Sequence, residues 1–157
     1  MLRLSKKADY ALIAMRHLAA QQVDRGASSA REIAQQYDIP MELLAKVLQR
    51  LVRRGLLTSL QGTRGGYRLA HPATTISVAD VIQAIDGPLT MTACSVDDQK
   101  CDQFSSCSVR DPLWRIKDRI VTALANCTVY DLTVDEPSEP TRAPVTVTRR
   151  ARVTTGA

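Results

Sequence analysis

Mainly helical with one small β-hairpin is the fold class the sequence predicts, and three observations carry it. Apolar residues recur at spacings of three and four in several separate stretches, the mark of helices that bury one face. Two short helices separated by a tight turn are written in the capping and breaking signals between Ser29 and Gly55. Directly after them, two short strand-like runs flank a glycine-rich turn, Gln61-Gly-Thr-Arg-Gly-Gly66. A chain of 157 residues is one domain's worth and long enough to bury a core.

The elements follow in order. Asp9 to Gln22 reads as a helix, with Leu12, Met15, Leu18 and Ala19 on one face. Ser29-Ala-Arg-Glu32 is a capping box, in which the hydroxyl takes an orphan amide and the carboxylate reaches back. It opens a short helix from Ala30 to Tyr37, with Ile33 and Tyr37 inward. Asp38-Ile39-Pro40 breaks that helix, and Pro40 suits the first turn of the next. The third helix runs to about Arg54 and stops at Gly55, burying Leu43, Leu44, Val47, Leu48 and Leu51. Leu56–Leu60 and Tyr67–Ala70 then read as strands. A hairpin placed directly after a helix-turn-helix makes a winged helix. Ser77-Val-Ala-Asp80 caps a further helix that ends at Asp86-Gly87-Pro88. Asp111-Pro112 opens a long one in the manner of a cap followed by proline. Its stripe of Leu113, Ile116, Ile120, Leu124 and Cys127 is surplus to a domain that already has a core. It is therefore expected to pack on the same helix of a second subunit, giving a homodimer. Thr128-Val-Tyr-Asp131 restarts a short turn. Residues 135–157, rich in Pro, Thr, Arg and Glu, read as a disordered tail. The expected organisation is residues 1–88 as the winged helix-turn-helix, 89–110 as a cysteine loop, 111–134 as dimerisation helix and final turn, and then the tail.

Charge points to a polyanion. Residues 1–70 hold 12 Lys/Arg and 5 Asp/Glu, a net +7, while residues 71–157 carry −2. Double-stranded DNA fits a basic helix-turn-helix. The exposed face of the third helix offers Met41, Glu42, Ala45, Lys46, Gln49 and Arg53. Glu42 can accept from a cytosine amino group and Gln49 can pair with adenine, while Lys46 and Arg53 suit phosphates. Ser29 at the helix start and Thr63 and Arg64 in the wing complete the expected DNA-contacting set. Arg64 is placed for a minor groove, whose negative potential attracts guanidinium groups.

Three of the four cysteines, Cys94, Cys101 and Cys107, fall within fourteen residues of a polar segment. Thiols so placed need a partner: another thiol, a metal ion or a cluster. Structural zinc favours pairs separated by two to four residues, and here six and five intervene. Cys127 lies about 22 Å along the helix from the loop at ~1.5 Å per residue and reads as a core thiol. With no span-length apolar run and no signal peptide, the chain is expected to be cytoplasmic, where disulfides are rare. Enzyme chemistry has little to stand on. His17 and His71 lack a nucleophile or metal partner in sequence, and Gly62–Gly66 lacks the lysine–hydroxyl ending of a phosphate loop. His17 is expected on the surface of the first helix and His71-Pro72 at the end of the hairpin. Neither a membrane nor a small-molecule substrate is implied.

Over residues 1–132 the chain resembles the winged-helix iron–sulfur regulators that include IscR and NsrR. The resemblance rests on Leu4-Ser5-Lys6 with Asp9-Tyr10-Ala11-Leu12, on Gly65-Gly66-Tyr67-Arg68-Leu69, on Ile76-Ser77-Val78 with Val81-Ile82 and Ile85-Asp86-Gly87, and on three cysteines before the long helix. Met1-Leu-Arg-Leu-Ser5, Ala45-Lys46-Val47-Leu48 and Cys107-Ser-Val-Arg110 look most like the subgroup regulating the Suf iron–sulfur assembly system. The resemblance implies a dimeric transcription factor whose iron–sulfur cluster, held by Cys94, Cys101 and Cys107, changes its affinity for promoter DNA. A [2Fe–2S] form is favoured, with [4Fe–4S] the alternative. IscR-like members carry histidine three residues after the third cysteine, where this chain has Arg110. NsrR-like members use an aspartate supplied by the other subunit, and Asp9 stands in the matching place. Asp9 also reads as a helix-start carboxylate favoured by the macrodipole. Nitric oxide or redox sensing, a zinc-stabilised interaction module and a regulator without its cluster are the alternative readings.

Overall fold

The computed structural model describes residues 4–21, 26–62, 65–90 and 105–134. Thr63, Arg64, Cys94, Cys101 and the tail 135–157, with its expected disorder, lie outside them, as does Gln22, the expected end of the first helix. The described elements run α1 (Lys6–Gln21), α2 (Ala30–Gln36), α3 (Met41–Arg53), β1 (Leu57–Leu60), β2 (Gly66–Leu69), α4 (Val78–Asp86) and α5 (Arg110–Asn126). Together they form a winged helix-turn-helix followed by a long helix.

Why α1 starts at Lys6 and not at Asp9 is a matter of capping. Ser5 Oγ accepts from the Ala8 N–H at 3.1 Å, and its carbonyl accepts from Asp9 N at 3.1 Å. Asp86 at the end of α4 in turn takes the Ser5 N–H (3.0 Å) and hydroxyl (2.5 Å). Ala8, Ala11, Ala14, Met15 and Leu18 form the buried face of α1. Small residues at the first three let α4 and α3 pack close to it. Leu44, Leu48 and Leu51 of α3 and Val81 of α4 complete the core beneath them.

Besides the start of α1, four details depart from the sequence expectations. His17 is buried, at 5% exposure, because its two ring nitrogens find hydroxyls on other elements. Leu43 is 38% exposed: α3 turns Leu44, Val47, Leu48 and Leu51 inward, and position 43 falls beside that stripe. Pro40 and Asp111-Pro112 are each displaced by a residue or more from their expected roles. Pro40 is the N-cap of α3, without a side-chain cap, and α5 begins at Arg110 with Val109 as N-cap. Asp111 and Pro112 therefore lie inside the first turn of α5, where a carboxylate suits the positive helix end and proline sacrifices no hydrogen bond.

The strands pair antiparallel with Leu57 opposite Leu69 and Leu60 opposite Gly66. The chain after α5 returns to the first unit. Val78 N donates to the Cys127 carbonyl and Val129 N to the Ile76 carbonyl, both at 2.8 Å. Val129 is fully buried in the same core as α1 and α3. The Thr128 turn forms as expected, with Asp131 Oδ2 accepting from Thr128 N (2.7 Å) and Oγ1 (2.8 Å). No described helix is long and apolar enough to cross a membrane.

Candidate nucleic-acid interface and sensor loop

The reading head begins at the α2 N-cap. Ser29 Oγ accepts from Glu32 N at 3.2 Å, and Ser29 N donates to Glu32 Oε2 at 2.7 Å. The box satisfies two amides and leaves the Ser29 hydroxyl proton to donate elsewhere. Asp38 turns the chain in the left-handed region at φ 50°, a conformation a short polar side chain tolerates. Ile39 N then donates to the Ala34 carbonyl at 3.0 Å, fixing α3 against α2.

On α3 the buried stripe leaves Met41, Glu42, Lys46, Gln49 and Arg53 exposed, with Ala45 half-buried between them. These six share one face, and Met41, a large apolar side chain, is 46% exposed at its leading end. Arg50 is diverted from this face, its Nε donating to the Ala84 carbonyl at 2.9 Å. Exposed Arg54 adjoins Arg53 at the C-cap.

The wing is clamped to this head. Ser28 N donates to the Tyr67 carbonyl (3.1 Å) and Tyr67 N to the Ser28 carbonyl (2.8 Å). A Cβ on Gly66 would lie 2.6 Å from Ser28 O, so only glycine permits this approach. Gly62 turns the tip at φ +115°, with Gly65 N donating back to its carbonyl at 2.9 Å. Thr63 and Arg64 follow Gly62 and lie outside the described residues.

Ahead of the long helix, Cys107 is half-buried, pairs with no described cysteine and stands three residues before α5. Arg110 Nε donates to Asp111 Oδ1 at 2.8 Å, and its guanidinium lies 5.6 Å from the Trp114 ring centroid. That bond also draws the Asp111 carboxyl below its ordinary pKa. Asp9 is half-buried in the first turn of α1, with Lys6 Nζ at 4.0 Å. The Ser5–Asp86 link joins that turn to the point where the chain leaves α4 for the cysteine loop. Beside it, Leu4, Asp86, Pro88, Ile120 and Leu124 line a cavity of about 630 Å³. Cys127 is half-buried at the far end of α5.

Residues 4–135 match the family model of Rrf2, described as an iron-dependent transcriptional regulator. The chain belongs to the Rrf2 family. A relative from Aquifex aeolicus, described as an HTH-type transcriptional regulator, is 34% identical over 125 residues, 78% of this chain and 85% of the relative. CymR of B. subtilis, the global cysteine regulator, superposes with TM-score 0.69 at 27% identity over 85% of this chain and 97% of its own. IscR of T. potens does so with TM-score 0.65 at 28% identity over 83% and 85%. Rrf2 regulators bind DNA, and these relatives are transcriptional regulators and not enzymes.

Seen as an Rrf2 chain, the structure brings the α3 residues together on one face with Ser29 at the edge of the same unit. It describes Asp9 and Cys107 separately. No group of three or more metal-ligating side chains gathers among the described residues; Cys94 and Cys101 lie outside them. The donor set fits iron: three thiols, and a carboxylate that no described bond stronger than the long Lys6 contact engages. Arg110, in the place of the histidine, cannot serve, because a guanidinium has no lone pair to give. Sequence reasoning missed His17, Ser28 and Tyr37, which meet through space. The spacing of 11 and 20 residues between them carries no local signal.

Proposed function

We propose that this Rrf2 regulator is a homodimer whose promoter affinity is set by an iron–sulfur cluster on Cys94, Cys101 and Cys107. Asp9 of the other subunit is the proposed fourth ligand, and iron–sulfur assembly genes are the proposed targets. The observation that carries the reading is the placement of α5. It starts three residues after Cys107 and is fastened at its far end, through Cys127 and Val129, to the core beneath the reading head. A bound cluster supplies a site sensitive to iron supply and oxidation. The chain does the rest: the thiols fix the loop, α5 carries its position, and two α3 helices meet successive half-sites. Glu42 and Gln49 read base edges, Met41 and Ala45 offer apolar contact to thymine methyls, and Lys46, Arg53 and Ser29 hold phosphates. Thr63 and Arg64 are the proposed wing contacts.

Protein purified without oxygen should be coloured, with iron and inorganic sulfide in matching amounts. Cys107→Ser should abolish the colour and alter affinity for a duplex selected by the wild type from random DNA. Equal affinity of coloured and colourless forms would remove cluster control. The likeness to the cysteine regulator CymR, with Arg110 in the histidine's place, supports a second reading as a cluster-free regulator. A colourless protein after anaerobic reconstitution that still selects DNA would establish it.

A further inference from the structure

One imidazole holds both ends of α2. His17 Nε2 lies 3.1 Å from Ser28 Oγ, and Nδ1 lies 3.3 Å from the Tyr37 hydroxyl. Ser28 immediately precedes the N-cap of α2 and pairs through its backbone with Tyr67 of the wing. Tyr37 is the C-cap of the same helix, its ring edge-on to the imidazole at 5.6 Å. We propose that His17 is a positioning residue for DNA reading, a tie that fixes the wing and α2 in one register and loosens when the ring is protonated. The DNA-reading part rests on the function proposed above; the tie itself does not.

The chemistry follows from counting protons. A neutral imidazole has one donor and one acceptor, and hydroxyls can serve either. Ser28 and Tyr37 can therefore both be satisfied, one accepting and the other donating. The charged ring has two donors, so the hydroxyl that was donating can only accept from it, and its own proton must find another acceptor. Ser28 is itself buried, which makes an unplaced hydroxyl proton costly. The groups facing the ring do little to hold a positive charge. From α2 come Glu32 and Tyr37, and Glu32 is already engaged with Ser29 N. Tyr67 of β2 is reached through Ser28. Gln21, Gln35 and Gln36 line the adjoining cavity without charge, and α3 and α4 bury aliphatic side chains toward the core. Burial outweighs the attraction of Glu32 and lowers the His17 pKa below its ordinary 6.5. The neutral tie is thus intact above about pH 6.5 and is lost as the pH falls through the lowered value.

The test compares the full chain with His17→Gln, which keeps a donor and an acceptor without charge, and His17→Leu, which keeps neither. Amide hydrogen exchange gives protection factors for Ser28 and Tyr67 at pH 7.5 and 5.5 without DNA, with Leu44 and Leu48 as core references. Fluorescence anisotropy gives affinity for the selected duplex at the same two pH values. The wild type should lose about tenfold in Ser28 and Tyr67 protection and about tenfold in affinity on acidification, the scale of one or two hydrogen bonds. His17→Leu should show both losses already at pH 7.5, and His17→Gln should show little change between the two. The three proteins share one cysteine loop, so a change in cluster content with pH moves them together. Ser28 and Tyr67 protection that follows Leu44 and Leu48 in every protein overturns the tie. If protection behaves as expected and no form binds DNA, the tie stands and the DNA-reading role falls.

Discussion

Ile116→Glu separates the stability of the protomer from that of the proposed dimer. In the single chain α5 has no buried residue, and Ile116 is 45% exposed. A substitution there costs an isolated protomer about 0.5 kcal/mol or less. In a twofold helix interface the same carboxylate is buried without a partner in both copies. At about 2 kcal/mol for each desolvated group, near the low end for unpaired polar burial, the pair costs about 4 kcal/mol. That is a roughly thousandfold weaker dimer. Sedimentation equilibrium across micromolar concentrations measures it directly, with thermal unfolding of the variant as the control for folding. Ala125→Glu, exposed and off the stripe, should leave the dimer constant alone. The reasoning is refuted if Ile116→Glu dimerises as well as wild type, or if wild type itself sediments as a monomer.

Three further outcomes are expected. Gly66→Ala must push Ser28 and Tyr67 apart to seat its Cβ, so urea denaturation should show a loss of about 1–3 kcal/mol and the selected duplex should bind more weakly. Ser29→Ala removes the acceptor for Glu32 N and should cost about 1 kcal/mol, again read by urea denaturation. Asp131 has its carboxyl held below the ordinary 3.8 by hydrogen bonds from Thr128 N and Oγ1. Its contribution is present above pH 3.8 and is lost as the pH falls through the lowered value. Thermal unfolding followed from pH 7 to 2.5 should therefore be less acid-sensitive in Asp131→Asn.

What the sequence made legible was local. The Ser29 and Ser77 boxes, Gly55 after α3 and the glycines of the wing each act within a few residues, so spacing alone locates them. The start of α1 was misjudged because its capping serine is held by Asp86, 81 residues away. His17 was misjudged for the same reason, since its hydroxyl partners come from other elements. Leu43 belongs to a helix whose apolar residues outnumber the positions its neighbours can cover. For the proposed cluster, three thiols in a polar segment announce a ligand chemistry, while Asp9, the proposed fourth ligand, carries no local signal beside them. In the proposed dimer that ligand comes from the other subunit, and spacing within one chain does not encode a contact between two.

The element that joins the helix-turn-helix to the proposed sensor segment is α4. Six of its nine residues are buried, and a helix packed so closely resists local distortion. Its N-cap Ser77 sits opposite Thr128, which places the end of α5 against it. Its Ala84 carbonyl accepts from Arg50 of the recognition helix. Its last residue, Asp86, holds the start of α1. These contacts make α4 the proposed conduit by which a shift of α5, about 25 Å long at ~1.5 Å per residue, would be passed from residues 127–129 to α3 and α1. Arg50 is the only described side-chain hydrogen bond between α3 and α4. If α4 is the conduit, Arg50→Met, which keeps the aliphatic packing, should leave the colour and the fold intact. It should also shrink the difference in DNA affinity between cluster-loaded and cluster-free protein.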